Sequence, residues 1–446
     1  MKSIVTLILS VLSLFAGAQT LIQRNVATGF DTPWEILWGP DNHLWMTERI
    51  GNVVRVNPQT GSVQVVLSIA EVFEGNERGL MGMVLHPDFQ TTPHVYLAYT
   101  YGSGSTTVKV VRYQWTGSQL VSPVVIIDNI TGNSTHDGCR LVIHEGKLFV
   151  TTGDAQQQDR PQNASSRNGK ILRLNLDGTI PSDNPVSGNP YWSLGHRNPQ
   201  GLVVANAIMY SSEHGPDSDD EVNIITKAGN YGWPNVYGFC DQQSEMTFCQ
   251  QNNVKEPIRA WTPTLAVAGI DYYNNALIPQ FANSLLMVSL KAGRLTQLKL
   301  NPAGTSVTEE KSIYSGQFGR LRDLCVAPDG RVFIVTSNKD GRGNPGPNDD
   351  RIIELKPQGS GISQIELEST LVYPNPADSR EPFRIFFPFT GDYELEWYDV
   401  KGSLIRKQSE KNTALAQSDL SGMEPGVYIL KIGNGKALAV KKIVIQ

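Results

Sequence analysis

Residues 40–51 read PDNHLWMTERIG: a turn signal, a short apolar run, and a polar end closed by glycine. The pattern recurs as PDFQTTPHVYLAYTYG (87–102), HEGKLFVTTGD (144–154), ANAIMYSSEHG (205–215), FANSLLMVSLKAG (281–293) and APDGRVFIVTSNKDG (327–341). With Leu44, Val95, Leu148, Ile208, Leu286 and Val332 taken as equivalent, the spacings are 51, 53, 60, 78 and 46 residues. Repeats of this length, with several short strands each and little helical periodicity, predict an all-β, six-bladed β-propeller over a set of generic sandwiches. The uneven spacing predicts insertions, the longest between Gly232 and Pro279. Strand ends bearing Glu, Asp, Lys and His in equivalent places would converge near the axis and make one face functional.

Outward from the repeats, residues 1–18 carry Lys2, an apolar run from Ile4 to Phe15 and an Ala16-Gly17-Ala18 end. This is the pattern of a secretory signal peptide cleaved before Gln19. No later segment is apolar enough for a membrane span. With 38 basic and 43 acidic residues, net charge −5, nothing points to nucleic acid or an anionic membrane surface. In an exported chain Cys240 and Cys249, bracketing a polar loop, are expected to form a disulfide. Cys139 and Cys325 adjoin apolar strands and read as buried free thiols, with a long-range bridge as the alternative. No CxxC argues for zinc. The propeller is expected over 19–357. The text QGSGIS marks a linker over 358–368, and alternating apolar residues with Gly and Asn turns predict a small C-terminal β-sandwich over 369–446.

The chemistry-bearing text lies in 194–237: LGHRNPQGL, then SSEHGPDSDDEVNII, then KAGNYGWPNVY. Pro199 stiffens a loop presenting Arg197, Asn198 and Gln200. The pair Gly215-Pro216 can aim backbone carbonyls at a hard cation such as Ca²⁺. A guanidinium beside a cation site suits an anionic ligand that also chelates metal, while the plainer reading is a polar turn closing a β-unit. His136, in STHDGCRLVI, has the right basicity for proton transfer near neutral pH, although a lone histidine is more often structural. Arg320 and Arg322, two apart in GRLRDL, point to one side of an extended segment, and Lys291 ends LLMVSLK. Taken singly, each reads as a solvated surface cation.

Several patterns are decoys. The acidic run Asp217, Asp219, Glu221 fails as an EF-hand, because Val222 and Ala228 replace the required Gly and Glu. Residues 341–346 satisfy GxGxxG, but Pro345 and Pro347 oppose the helix a nucleotide site needs. His86-Pro87-Asp88 reads as a blade turn, and no GxSxG elbow occurs.

The ordered motifs LGHRNPQGL, SEHGPDSDDEVN and AGNYGWP resemble the soluble quinoprotein sugar dehydrogenases, the glucose/sorbosone dehydrogenase family, from about Phe30 to Leu355. The resemblance implies a six-bladed propeller that binds pyrroloquinoline quinone (PQQ) and Ca²⁺, oxidises an aldose at its anomeric carbon to the lactone, and passes electrons to an external acceptor. It implies His136 as the base, Asp154 of TTGD as the carboxylate orienting it, and Arg197 as the charge beside the quinone oxygen. It implies cofactor contacts from Arg197, Asn198, Thr264, Lys291, Arg320, Arg322 and Gln162, and Ca²⁺ on the carbonyls of Gly215 and Pro216. Glu77 and Asp220 fall on the substrate side. Two departures concern the sugar: Thr135 stands where the best-known glucose dehydrogenase pattern has a carboxylate, and Glu77 where it has a glutamine.

In the last segment YPNPA, GVYILKI and KKIVIQ resemble the C-terminal sorting domain of the type IX secretion system. That implies the secretion machinery as a partner and a secreted or cell-surface location reached through the periplasm. The alternative is a carbohydrate-binding or adhesion module using Trp397 and Tyr398. Two further classes stay open for the propeller. One is a binding module for carbohydrate or protein that has lost cofactor chemistry. The other is a Ca²⁺-dependent lactonase, which would want a ring of Asn, Asp and Glu without the cationic clamp.

Overall fold

A computed structural model describes residues 20–102, 105–357, 367, 370–435 and 438–446. The expected signal peptide lies outside the described residues, as does the expected linker 358–368 apart from Leu367. One compact unit spans Gln23–Leu355, and a second holds Lys356–Gln446.

In the first unit the described strands pair into six antiparallel four-stranded sheets. Their first strands are Pro33–Trp38, Leu80–Leu85, Leu141–His144, Pro199–Ala205, Val267–Tyr273 and Leu321–Val326. Each touches the next, and the sixth touches the first, so the sheets stand in a closed ring, the arrangement of a propeller. The last sheet takes its outer strand, Leu21–Thr28, from the chain start and pairs it with Arg351–Pro357. That pairing ties the two ends of the ring together.

The six apolar runs of the repeats are the second strands, Leu44–Glu48, His94–Tyr101, Lys147–Thr152, Ile208–Glu213, Ser284–Ser289 and Val332–Thr336. They are buried on both faces because the apolar core lies between neighbouring sheets. Trp45 and Val53 pack against Leu80 and Tyr99 of the next sheet, and Ile36 and Leu44 against Phe333 and Val335 of the last. Each such large side chain contributes about 1.5–3 kcal/mol on burial.

The registers refine the repeat. Ile36 pairs Met46, Met83 pairs Leu97, Leu141 pairs Val150, Leu202 pairs Ser211, Ile270 pairs Met287 and Leu324 pairs Ile334. Met209 and Leu285, rather than Ile208 and Leu286, are therefore level with Leu44. A strand buried on both faces reads as a continuous apolar run, so a slip of one residue leaves no trace in its sequence. The same registers set Glu35, Gly82, Arg140, Gly201, Gly269 and Asp323 at equivalent places on the ring. Three glycines there leave room for three charges. A Cβ on Gly269 would sit 1.7 Å from Asp323 Oδ1. Arg140 Nη1 donates to Glu35 and, at 2.9 Å, to Asp323. Trp34 lies between the guanidinium groups of Arg140 and Arg322, each 4.3 Å from its ring centroid.

The expected long insertion holds the α-helix Gln243–Asn252, and Cys240 is bonded to Cys249 across it. Cys139 and Cys325 are free and buried. In the second unit, strands Leu371–Tyr373, Phe383–Tyr398, Leu404–Ser418, Gly426–Gly433 and Leu438–Ile445 form one hydrogen-bonded five-stranded sheet. Register shifts interrupt the pairing of its two longest strands. Its core includes Phe383, Leu395, Leu430, Ile443 and Trp397. Trp397 is thus core and presents no exposed platform for a sugar.

Candidate active site

His136 sits in the loop before Leu141–His144 with φ +64°, a left-handed conformation that its surroundings must hold. Gly153 is part of that hold: a Cβ there would lie 1.9 Å from the His136 carbonyl oxygen. His136 Nδ1 lies 2.8 Å from Asp154 Oδ1, and the carboxylate is buried. Asp154 also accepts from Trp233 Nε1 at 2.9 Å and from the Gln156 N–H at 2.7 Å. Asp154 is thereby fixed as acceptor, so the neutral ring carries its proton on Nδ1 and its lone pair on Nε2. Among the described residues Nε2 has no hydrogen-bond partner, and His136 lines an open cavity with Glu77, Arg197, Thr264 and Arg342.

A second cavity adjoins the first, sharing Glu77, His214, Ala266 and Arg342, and is walled by Arg49, Asp137, Arg320 and Arg322. A smaller hollow lies against Gly215, Pro216, Glu213 and Glu221. Among the described residues, buried polar atoms without partners belong to side chains lining these cavities, Nε of Arg49, Arg197 and Arg322 and Oδ2 of Asp137, and to Asn198, whose Nδ2 lies behind the lining residues Gly138 and Gln200. Leaving such an atom unpaired costs about 1–3 kcal/mol each. Four of these five are N–H donors, so the pocket's chemistry calls for a ligand rich in anionic oxygens.

The electrostatics agree. Burial pulls the Arg197 guanidinium below its usual range against the opposing charges of Asp154, Glu213 and Asp220. Burial, reinforced by Arg140, brings Arg322 down to about 9. A cation held at such cost gains most from an anionic partner. Arg197 Nη1 donates to the His214 carbonyl at 3.3 Å and its guanidinium lies over Trp233. Arg322 Nη2 donates to Gln200 Oε1 at 2.6 Å.

Other expected residues are placed as follows. Arg320 lines the second cavity with its Nε on Asp340 at 2.7 Å. Lys291 is exposed and donates to Thr264 Oγ1 at 3.1 Å. Asn198 is fully buried, accepting from the Gly138 N–H and from Gln200. Gln162 stands apart from these cavities, paired with Asn230 and the Trp233 carbonyl. Asp220 spends both oxygens on the N–H groups of Gly215, Leu265 and Val267. It therefore holds the Gly215 turn against the segment carrying Thr264.

No group of three or more His, Cys, Asp or Glu among the described residues could hold a metal. A cation here would depend on carbonyls. Those of Gly215 and Pro216 accept no hydrogen bond among the described residues, which suits hard-cation ligands. Gly215 is a glycine for a second reason, since a Cβ there would lie 1.9 Å from the Ser218 carbonyl oxygen.

Sequence reasoning missed Arg49, Asp137, Trp233 and Arg342. Arg342 belongs to the rejected GxGxxG loop, and its Nη1 reaches Glu77 Oε1 at 2.9 Å. Glu77 Oε2 accepts the His136 N–H at 3.3 Å.

The comparisons with known proteins bear on this cavity. The model of the Glucose / Sorbosone dehydrogenase family matches residues 30–344. The chain belongs to the glucose/sorbosone dehydrogenase family. It is an oxidoreductase, a sugar dehydrogenase. Quinoprotein glucose dehydrogenase B of Acinetobacter calcoaceticus is 31% identical over 73% of this chain and 87% of that protein. An aldose sugar dehydrogenase of Escherichia coli is 31% identical over 74% of this chain and 93% of its own length. The PQQ-bound aldose sugar dehydrogenase of Streptomyces coelicolor superposes with a TM-score of 0.67 at 31% identity, covering 76% of this chain and 99% of that one. Residues 371–446 match the secretion system C-terminal sorting domain, which marks the family member for export. Among the described residues no helix is long and apolar enough to cross a membrane.

Proposed function

We propose that this chain is a PQQ- and Ca²⁺-dependent aldose dehydrogenase that oxidises a sugar at its anomeric carbon to the lactone. The first unit is read as a six-bladed propeller over 19–357, and the second as a small sorting sandwich over 369–446 joined by the linker 358–368. The observation that carries the reading is the cluster of unpaired donors on Arg49, Arg197, Arg322 and Asn198 beside a histidine with a free Nε2. PQQ has three carboxylates and two quinone carbonyls, which matches a set of buried donors without acceptors. Arg197, Asn198 and Arg322 would hold it from within, with Arg320, Lys291 and Thr264 at the rim and Gln162 bracing the Trp233 loop. The carbonyls of Gly215 and Pro216 would hold Ca²⁺.

When bound, PQQ supplies the acceptor for the hydride leaving the sugar carbon, and Ca²⁺ polarises that acceptor. The chain's residues do the rest. His136 Nε2 takes the proton of the anomeric hydroxyl. Asp154 keeps Nδ1–H in place and stabilises the imidazolium that forms. Arg197 sets a desolvated positive charge at the cavity wall. Glu77 and Arg342 face the substrate, and Asp220 fixes the turn they oppose. Electrons leave to an external acceptor, and the sorting domain supports export, by way of the periplasm, to the cell exterior or surface.

The test is reconstitution. Purified chain titrated with PQQ and Ca²⁺ is expected to bind the quinone by absorbance and then reduce an artificial dye with an aldose. A chain that binds no quinone, or binds it and oxidises no aldose, overturns the proposal.

A further inference from the structure

Asp137 is the exception among the unpaired atoms of the cavity. The others are nitrogen donors, while Asp137 Oδ2 is a carboxyl oxygen. The side chain is 4% exposed, belongs to the cavity wall, and uses only its Oδ1, which accepts the Asn133 N–H at 2.8 Å. An ionised carboxylate with a bare oxygen would be costly here on two counts. It would lack donors of its own, and it would repel an anionic ligand drawn in by the arginines. A neutral carboxyl has neither fault, because its O–H adds one more donor to a wall already rich in them. We propose that Asp137 acts as a protonated acid that donates a hydrogen bond to an anionic oxygen of the bound quinone. The inference rests on the PQQ reading above.

The surroundings hold that proton. Burial is the main cause that pushes the Asp137 carboxyl up to about 8; the charge of Glu77 adds to it, and the Asn133 N–H and Arg78 oppose it. The ionisable groups around it are Glu77 and Arg78 on the loop before Leu80, the Cys139 thiol, and Arg49, His214, Arg320, Arg322, Asp340 and Arg342, which line the same cavity. None of them makes a hydrogen bond or ion pair to the Asp137 carboxyl among the described residues. Proton linkage then fixes the pH behaviour. If the protonated form binds the quinone, affinity is full below about 8 and falls above it, by up to about tenfold per pH unit. Arg322 weakens at higher pH as well, since its own value is near 9. A variant that keeps Arg322 but cannot ionise at position 137 separates the two.

The experiment is an absorbance titration of the full chain with PQQ in the presence of Ca²⁺, from pH 6 to 9.5, for the unsubstituted protein, Asp137→Asn and Asp137→Ala. Asp137→Asn keeps a donor and cannot ionise. It is expected to bind within about threefold of the unsubstituted protein at pH 6–7, and more tightly above pH 8, where only the Arg322 decline remains. Asp137→Ala is expected to bind about tenfold more weakly at pH 7, a loss in the range of one hydrogen bond to a charged group. Three results would overturn the inference while leaving the PQQ reading intact: Asp137→Asn tracking the unsubstituted protein through pH 9.5, Asp137→Asn binding tenfold tighter already at pH 6–7, or Asp137→Ala binding normally at pH 7. Failure of the unsubstituted chain to bind PQQ at any pH overturns both. Asp137→Asn carries the decision if Asp137→Ala does not fold.

Discussion

Two histidine–carboxylate pairs stand close together in this molecule with the same geometry. His136 Nδ1 is 2.8 Å from Asp154, and His196 Nδ1 is 2.8 Å from Glu213. They differ at the other ring nitrogen. His196 Nε2 is 2.9 Å from Ser193 Oγ, its ring stacks on Tyr231, and none of its side chain is exposed. Among the described residues His136 Nε2 has no partner, and 16% of its side chain is exposed, on a cavity. The pairing with a carboxylate is common to a structural and a reactive histidine. What distinguishes the reactive one is a lone pair left without a donor where a substrate can reach it. Glu213 shows what the structural pair is for, since its other oxygen takes the N–H groups of Arg197 and Asn198. In the proposed reaction the first pair would do the chemistry, while the second holds the loop that carries Arg197.

Removing each ring should separate the two roles. His136→Ala is expected to lower turnover of the PQQ-loaded protein by ~10²–10⁴-fold with little change in melting temperature or quinone affinity. His196→Ala is expected to behave in the opposite sense. It leaves Glu213 and Ser193 with unmet hydrogen bonds in a closed site and should cost about 2–4 kcal/mol, read from denaturant midpoints. Turnover per folded molecule should fall less than about tenfold. If His196→Ala kept native stability and lost activity as His136→Ala does, the division of labour would be wrong.

A smaller effect is expected at the carboxylate. Asp154 accepts from a ring N–H on one oxygen and from Trp233 Nε1–H on the other. In Asp154→Asn the amide can accept at one of these places only, and its NH₂ must face the second donor. The imidazole stays but loses orientation and basicity, so a loss of about tenfold to a hundredfold in turnover is expected. An Asp154→Asn protein as impaired as His136→Ala would mean that the carboxylate is itself part of the reacting group.

The sequence made some of this legible and hid the rest for physical reasons. His136, Asp154 and Arg197 each sit in a short motif, where neighbouring residues set the local backbone. The repeat was visible because second strands buried on both faces read as unbroken apolar runs. Those runs also concealed the register at Met209 and Leu285. Trp233 reaches Asp154 across 79 residues, and Arg342 reaches Glu77 across 265. Contacts that long depend on packing between sheets, and no local pattern encodes them. Asp137 was overlooked beside His136 because its meaning lies in an oxygen without a partner, which only packing reveals. The acidic run reads as a turn lining the pocket with some members on backbone N–H groups, and Asp220 both lines the His136 cavity and accepts the N–H groups of Gly215, Leu265 and Val267.

The smallest expected effect tests whether Glu77 belongs with the reactive pair or with its support. Burial works to raise its carboxyl, but His214, Arg342 and the His136 N–H outweigh that and hold it below the usual value. A depressed acid stabilises the fold above its unfolded pKa, and the contribution is lost as pH falls through the folded value. The Arg342 side chain is 58% exposed, so solvent screens the pair and its worth is at most about 1 kcal/mol. Glu77→Gln should therefore lower stability by under ~1 kcal/mol at pH 7, and by less at acidic pH as the carboxylate loses its charge on passing through its folded value. The amide can still accept from one of its two donors, so His136 should stay in place and turnover should change only a few-fold. The ratio of kcat/KM between two aldoses should shift by a similar few-fold factor, about 0.5–1 kcal/mol, because Arg342 is released to face the sugar. Steady-state rates on paired aldoses, with denaturant midpoints at neutral and acidic pH, read all three. A loss of turnover beyond about a hundredfold would place Glu77 in the proton transfer itself and make the reactive histidine one of two bases.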